Sequence, residues 1–354
     1  MVPGENGERD RSFSWVSGTR EPFTFTLKRD SIEVSFAPDF QEFDTEGGKT
    51  FVYNIHLKDL DQGQYHYYIV ADNSTDTLRG SFRIKPRDGV LDFLLLGDIQ
   101  DPVDTGTKEF LSEVASRFPD MDAWLFVGDM IERPHDEYWQ LFYETVESIA
   151  PSTPFIPVAG NHEYNTGGFS TVGARYLRTF PMPQNGNKER LGANYYVDYP
   201  EVRIIGLDTN MIIRDIFSTR DWLKQTISSN KAPFTIILGH HGAYSVRKGR
   251  FNPIVWFGLK PIYTDCKVDL VLQGHDHAYS RNGGPESSYG ERPVYITQTS
   301  SYKCYEVGSP KKHDKALSGE RLYSHIRITA DTLYYQAFRE DHTLYDSLKL
   351  QKKQ

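Results

Sequence analysis

The chain has 354 residues, apolar and charged fractions of 38% and 25%, and a formal charge of −8. That length favours two domains with a full core, and the acidic balance leaves no basic surplus for a nucleic-acid-binding patch. Two cysteines, Cys266 and Cys304, exclude a disulfide scaffold and allow at most one bridge, with their pairing open.

The longest apolar run, 90–96, is too short to span a membrane. Residues 1–10 carry no hydrophobic stretch of a signal peptide, which leaves a cytoplasmic protein or a mature form whose leader was removed. With 22 Tyr and 21 Phe, the composition favours strand. Residues 1–87 read as all-β: segments 12–16, 23–27, 31–36, 51–57, 65–70 and 78–84 show partial period-two alternation. Turns at 61–63 and 72–74 separate them, which predicts a small sandwich domain. His56 and His66 sit in strand-like segments and read as structural.

Residues 85–89 form a linker, after which the period changes. Apolar strands at 90–96, 123–127, 202–207, 234–238 and 268–272, and the shorter run before Gly160, alternate with helical patterns at 107–118, 137–149 and 218–230. Ser218 is placed to cap the last of these helices. Strands return at 293–298, 322–329, 332–338 and 343–350, the last two as a closing hairpin. Two long loops, 164–194 and 279–293, come directly after polar clusters and are expected to shape access to them.

Those clusters carry the chemistry. The apolar strands stop at Gly97-Asp98-Ile99-Gln100, Gly128-Asp129, Gly160-Asn161-His162-Glu163, Asp208-Thr209-Asn210, Gly239-His240-His241 and Gln273-Gly274-His275-Asp276-His277. A buried parallel strand wants every residue apolar, so polar groups collect where it ends, and ligand sites of open α/β sheets lie there. Singly, a Gly-Asp pair is an ordinary turn; the ordered set is what points to a metal site. Carboxylate, amide and imidazole ligands suit Mn, Fe and Zn rather than copper. Two ions about 3.5–4 Å apart need a bridging carboxylate, and water held between them becomes a nucleophile near neutral pH. His241, Tyr244, Tyr279 and Arg281 lie close enough to the clusters in sequence to line a substrate pocket, Arg281 suiting a phosphate oxygen, with plain packing the alternative for each.

The series Gly97-Asp98, Gly128-Asp129, Gly160-Asn161-His162-Glu163, Gly239-His240 and Gly274-His275-Asp276-His277 resembles the signature of the calcineurin-like metallophosphoesterases. The Asn161-His162-Glu163 form and segments 237–244 and 274–279 most resemble the purple acid phosphatase branch. Leu57-Lys58-Asp59-Leu60 through Phe82-Arg83-Ile84 is similar to the final strands of that branch's N-terminal domain. The resemblance implies a fibronectin-like β-sandwich (1–87) before an α/β catalytic domain (88–354) of αββα sandwich architecture. It implies two ions, Mn, Fe or Zn. Asp129 would bridge them, with Asp98 and His277 completing one site and Asn161, His240 and His275 the other. His162 would protonate the leaving oxygen or hold the phosphate.

Two positions depart from the pattern. Glu132 stands where the purple enzymes carry a metal-binding tyrosine, so the protein is not expected to be purple. Gln100 stands where many superfamily members carry histidine; its amide oxygen can serve the same ion, giving an oxygen-rich site that takes Mn or Fe(II) readily. The expected activity is hydrolysis of a small phosphate ester by a metal-bridged hydroxide. A phosphomonoesterase comes first and a phosphodiesterase second; a binding or adhesion protein with a vestigial site is the reading from another class. The resemblance also implies an extracytoplasmic location once a leader is removed.

Overall fold

The computed structural model describes residues 1–72, 77–103, 105–164, 172–210 and 215–353. Eight strands occupy the first 84 residues: β1 (Val2–Pro3), β2 (Arg11–Ser17), β3 (Phe23–Arg29), β4 (Ile32–Phe36), β5 (Asp39–Thr45), β6 (Gly48–Leu57), β7 (Gly63–Ala71) and β8 (Thr77–Ile84). They form two antiparallel sheets, ordered β1-β2-β6-β5 and β4-β3-β7-β8. Alternate residues of both, among them Phe13, Trp15 and Tyr53 from one sheet and Phe25, Tyr67 and Phe82 from the other, share a single apolar cluster. The predicted strands are all present. β5 was not predicted, because its Asp-Phe-Gln-Glu-Phe-Asp-Thr sequence is an exposed edge with no buried face to imprint a pattern. Of the predicted turn at 72–74, residues 73 and 74 lie outside the described residues, as do 165–171 of the predicted loop 164–194.

This β unit packs on the remainder of the chain. Ser14 Oγ donates to the Thr179 carbonyl (2.6 Å), Asn54 Nδ2 to Arg178 O (3.0 Å) and Tyr67 Oη to Pro151 O (3.0 Å). At the β5–β6 turn, Glu46 pairs with His135 at 3.3 Å.

From Val90 the elements are β9 (Val90–Leu96), α1 (Thr107–Arg117), β10 (Ala123–Phe126), α2 (Asp136–Thr145), β11 (Phe155–Pro157), α3 (Ala174–Thr179), β12 (Tyr195–Asp198), β13 (Val202–Leu207), α4 (Ile216–Ser228), β14 (Phe234–Gly239), α5 (Lys260–Asp265) and β15 (Leu270–Gln273). The chain closes with β16 (Tyr279–Asn282), β17 (Val294–Thr297), β18 (Lys315–Leu317), β19 (Leu322–Thr329), β20 (Thr332–Arg339) and β21 (Leu344–Gln351). Two mixed sheets result, β11-β10-β9-β19-β20-β21 and β12-β13-β14-β15-β17-β16-β18. One apolar cluster joins them, through Leu94, Leu125 and Ile326 of the first and Ile204, Ile236 and Leu272 of the second. The intervening residues Ile205, Ile237 and Val271 face the other way and are covered by Leu223 and Ile227 of α4 and Ile262 of α5. Burial on both faces is why these strands read as unbroken apolar runs.

The predicted closing hairpin is β20–β21, paired antiparallel. α4 begins at Ile216, so Ser218 lies inside it and its hydroxyl donates back to Asp215 O at 3.2 Å; it is not the cap. α2 ends at Thr145, four residues earlier than predicted. The predicted loop 279–293 starts instead with strand β16. Both thiols are free, Cys266 half-buried and Cys304 exposed. Among the described residues no helix is long and apolar enough to cross a membrane.

Candidate metal centre

β9, β10 and β11 run parallel as neighbours in one sheet, and β13, β14 and β15 in the other. Their carboxyl ends deliver the polar residues to one place. Carboxylate and imidazole atoms gather into two groups, Asp98–Asp129–His277 and Asp129–His240–His275, each within 4.8 Å. Asp129 belongs to both.

The imidazoles are aimed by partners behind them. His240 Nδ1 donates to the Val127 carbonyl at 2.8 Å, which turns Nε2 to the cluster. There Nε2 lies 3.1 Å from Asp129 Oδ2, 3.2 Å from Asn161 Oδ1 and 3.1 Å from His275 Nδ1. His277 has Nδ1 3.4 Å from Ser301 Oγ and presents Nε2. Asp276, between His275 and His277, points the other way: its carboxylate accepts from the Val246 and Arg247 N–H groups (2.6 and 3.2 Å) and pairs with Arg250 at 3.1 Å. The alternation expected of His-x-His is realised.

Gln100 is buried. With its amide nitrogen donating to the Asp129 and Asp98 carbonyls (2.8 and 3.1 Å), the amide oxygen faces Asp129 Oδ2 and His277 Nε2 at 3.4 Å from each. His162 Nδ1 donates to the Glu132 carbonyl, leaving Nε2 3.9 Å from Asp129 Oδ2 in a half-buried position. Asn161 is exposed at the rim.

The backbone is built for this proximity. Gly128 has φ +89°, and a Cβ there would lie 2.6 Å from His240 Nδ1. Asp98, Asp129, His275 and His277 all hold positive φ (54, 51, 73 and 44°).

The donor set fits cations. Burial pushes the Asp98 carboxyl well above its usual range, and neighbouring Asp129 adds to this. For Asp129 burial acts the same way, but the His240 charge overrides it and holds the carboxylate low. Burial would lower the His240 pKa, yet Asp129 and Asp98 raise it to about 9. Burial and the charges of Lys303 and His240 bring His277 down to about 3. Lone pairs of two carboxylates, two amides and three imidazoles converge in a largely buried place, an arrangement that positive charge at its centre stabilises.

His241 borders the group: its ring centroid is 4.3 Å from that of His275 and Nδ1 is 2.9 Å from Thr209 Oγ1. The other substrate-side expectations place differently. Tyr279 is fully buried, its hydroxyl donating to Asp346 at 2.9 Å. Arg281 Nε donates to the same carboxylate at 2.7 Å. Tyr244 packs among Trp256, Tyr289 and Tyr295, with ring centroids 5.0–5.4 Å away. The partners of all three are residues outside the two ligand groups.

Sequence reasoning missed two positioning residues. The buried Glu163 carboxylate accepts four backbone N–H bonds: Gly160 at 2.6 Å and Asp129 at 3.0 Å on Oε2, Met130 at 2.7 Å and Ile131 at 3.2 Å on Oε1. Thr209 Oγ1 accepts from the His240 and His241 N–H groups at 3.2 and 3.0 Å. An acid in a motif whose neighbours take the ligand roles was the available signal for Glu163.

The profile of the calcineurin-like phosphoesterases matches residues 91–279, over half of the chain. Purple acid phosphatase 21 of Arabidopsis thaliana is 22% identical over 287 residues, 76% of this chain and 62% of its own length. Acid phosphatase type 7 of Mus musculus is 30% identical over 231 residues, 53% of this chain and 50% of its own. The chain thus spans about half to three fifths of the length of these curated relatives. Among solved structures, GAP50, the anchor in the inner membrane complex of Plasmodium, superposes with a TM-score of 0.57 at 19% identity, covering 75% of this chain and 90% of that one, a likeness of fold.

Proposed function

This chain belongs to the calcineurin-like phosphoesterase family, and on that footing we propose that it hydrolyses phosphate esters, monoesters first, at a two-ion centre. The observation that carries this reading is the membership of Asp129 in both ligand groups. One ion would be held by Asp98, Asp129, His277 and the Gln100 amide oxygen, the other by Asp129, Asn161, His240 and His275. When bound, such a pair supplies a nucleophilic water near neutral pH and neutralises phosphate charge.

The chain's own groups do the rest. The Glu132 carbonyl keeps the His162 proton on Nδ1, so Nε2 is the nitrogen that meets the substrate. In the cationic form, Nε2–H donates to an ester oxygen and gives up its proton as the leaving group departs. Glu163 fixes the Asp129–Ile131 backbone, so the bridging carboxylate keeps its aim. The donor set suits Mn, Fe or Zn. Residues 88–354 are assigned as an αββα catalytic domain and 1–87 as a fibronectin-like β-sandwich, in an exported protein.

The test is reconstitution with Mn, Fe(II) or Zn, then assays on p-nitrophenyl phosphate and bis(p-nitrophenyl) phosphate. The metal-loaded protein should cleave the monoester faster, and Asp129→Asn should fall to the blank rate. An Asp129→Asn protein with unchanged hydrolysis refutes the assignment. Wild-type inactivity on both esters with every metal points to a binding protein.

A further inference from the structure

A substrate phosphate arrives with negative charge, and the cations near the cluster are mostly engaged. Arg250 is held by the His275 carbonyl and Asp276. Arg281 is bound to Asp346, and Arg190 to Asp208 and Asp215. Lys303 differs. Its half-exposed ammonium lies 3.9 Å from Glu132 Oε2, beyond hydrogen-bond reach, and forms no hydrogen bond among the described residues. That carboxylate oxygen is itself buried without a hydrogen-bond partner. The pair attracts but does not lock, which leaves the three N–H donors of Lys303 open.

Its placement is fixed from both sides. Two residues before it, Ser301 Oγ approaches His277 Nδ1 at 3.4 Å. Two residues after it, the Tyr305 N–H donates to the His277 carbonyl at 3.2 Å, and its ring stands edge-on to the imidazole, 5.1 Å between centroids. Across the gap, the Glu132 carbonyl holds His162. The Lys303–Glu132 pair therefore bridges from the loop behind His277 to the loop behind His162.

We propose that Lys303 is the phosphate-recognition residue of the centre, donating to a non-bridging phosphoryl oxygen, with Glu132 holding the ammonium at the rim when no substrate is present. This rests on the hydrolase reading above and gives its preference for monoesters a residue. A monoester dianion offers three non-bridging oxygens and two charges; a diester offers two oxygens and one charge. A cation at the rim selects the dianionic monoester.

The experiment compares wild type, Lys303→Met and Lys303→Arg. Inorganic phosphate is titrated calorimetrically into each metal-loaded protein, and kcat/KM is measured on both p-nitrophenyl esters. Lys303→Met should bind phosphate about tenfold more weakly, as loss of one charge-assisted hydrogen bond implies, with a matching loss on the monoester and a smaller one on the diester. Lys303→Arg should retain most of both. Metal content and melting temperature should match wild type in both variants. Wild-type phosphate affinity in Lys303→Met, or equal losses on the two esters, overturns the assignment. A Lys303→Met protein that sheds its metals also overturns it, giving Lys303 only a role in supporting His277. If wild type cleaves neither ester, the hydrolase reading falls, while the phosphate titration still decides the case of Lys303.

Discussion

Gly160→Ala tests whether close approach at the strand ends sets the centre. Gly160 has φ −88° and ψ −174°, open to any residue, so alanine adds no backbone strain. The effect is purely steric. An added Cβ would overlap Asp129 Oδ1 and the Asp129 nitrogen and lie 2.7 Å from Asp129 Cγ, against 3.4 Å at the near edge of ordinary contact, so the carboxylate must retreat by at least 0.7 Å. It has little room to do so. Asp129 is buried, its Oδ1 accepts from the His162 N–H at 3.0 Å and its own N–H is held by Glu163 at 3.0 Å. Overpacking of this kind costs about 1–3 kcal/mol, and displacing a catalytic group by about 1 Å costs on the order of 10² in rate. Gly160→Ala should therefore melt a few degrees lower, bind fewer ions by elemental analysis after dialysis, and lose on the order of 10²-fold in monoester hydrolysis. Gly18→Ala, where an added Cβ meets nothing within 4 Å, is the silent control. A Gly160→Ala protein with wild-type ion content and wild-type rate refutes the reasoning.

Arg190, 4% exposed, pairs with Asp208 at 2.8 Å and Asp215 at 2.7 Å; Arg190→Met removes the cation shared by two buried carboxylates and should cost about 3–5 kcal/mol in urea melts, a loss under about 1 kcal/mol counting against it. Asp92 is held down to about 2: burial alone would raise it, but hydrogen bonds from His325 and Arg327 outweigh burial. Its folded pKa thus lies below the unfolded one, so this stabilisation is present above about pH 4 and lost as pH falls through 2; about 1–2 kcal/mol should go after solvent screening, and Asp92→Asn should flatten that part of the urea-midpoint profile. With Glu132 in place of a tyrosine, protein reconstituted with ferric iron should show no visible tyrosinate band, and an absorption spectrum containing one would contradict that.

The parallel strands were legible because burial on both faces leaves apolar runs with abrupt polar ends; β9, β13 and β19 match the predicted 90–96, 202–207 and 322–329 to the residue. Their division between two sheets was not legible, since a buried strand looks the same in either. The imidazoles and carboxylates of the cluster were found by residue type and order, each needing only to end a strand. For Tyr279 and Arg281 the sequence left pocket lining and packing open, since nearness to His275 and His277 along the chain does not say where a side chain points. The left-handed turn at His277 (φ 44°) breaks the alternation of His275 and His277, and β16 carries Tyr279 and Arg281 to Asp346. Glu163 escaped notice because its partners are backbone groups, which leave no trace in side-chain spacing.

Four of the seven converging residues, Asp98, Asp129, His275 and His277, occupy left-handed backbone. For residues with a Cβ this costs roughly 1–2 kcal/mol each. The conformations persist because buried acceptors hold the same backbone from behind. Glu163 takes the N–H groups of Asp129, Met130 and Ile131, Asp98 takes that of His275 at 2.8 Å, and Asp276 takes those of Val246 and Arg247. At about 0.5–1.5 kcal/mol net for each hydrogen bond, the set is of the same size as the strain and offsets it. Asp98 therefore has two tasks, placing its own oxygens in one ligand group and fixing His275 of the other. Strain held by the protein means that the ligand atoms are aimed before any ion arrives, which is the condition the proposed two-ion hydrolysis needs if charge is not to reorganise during phosphoryl transfer.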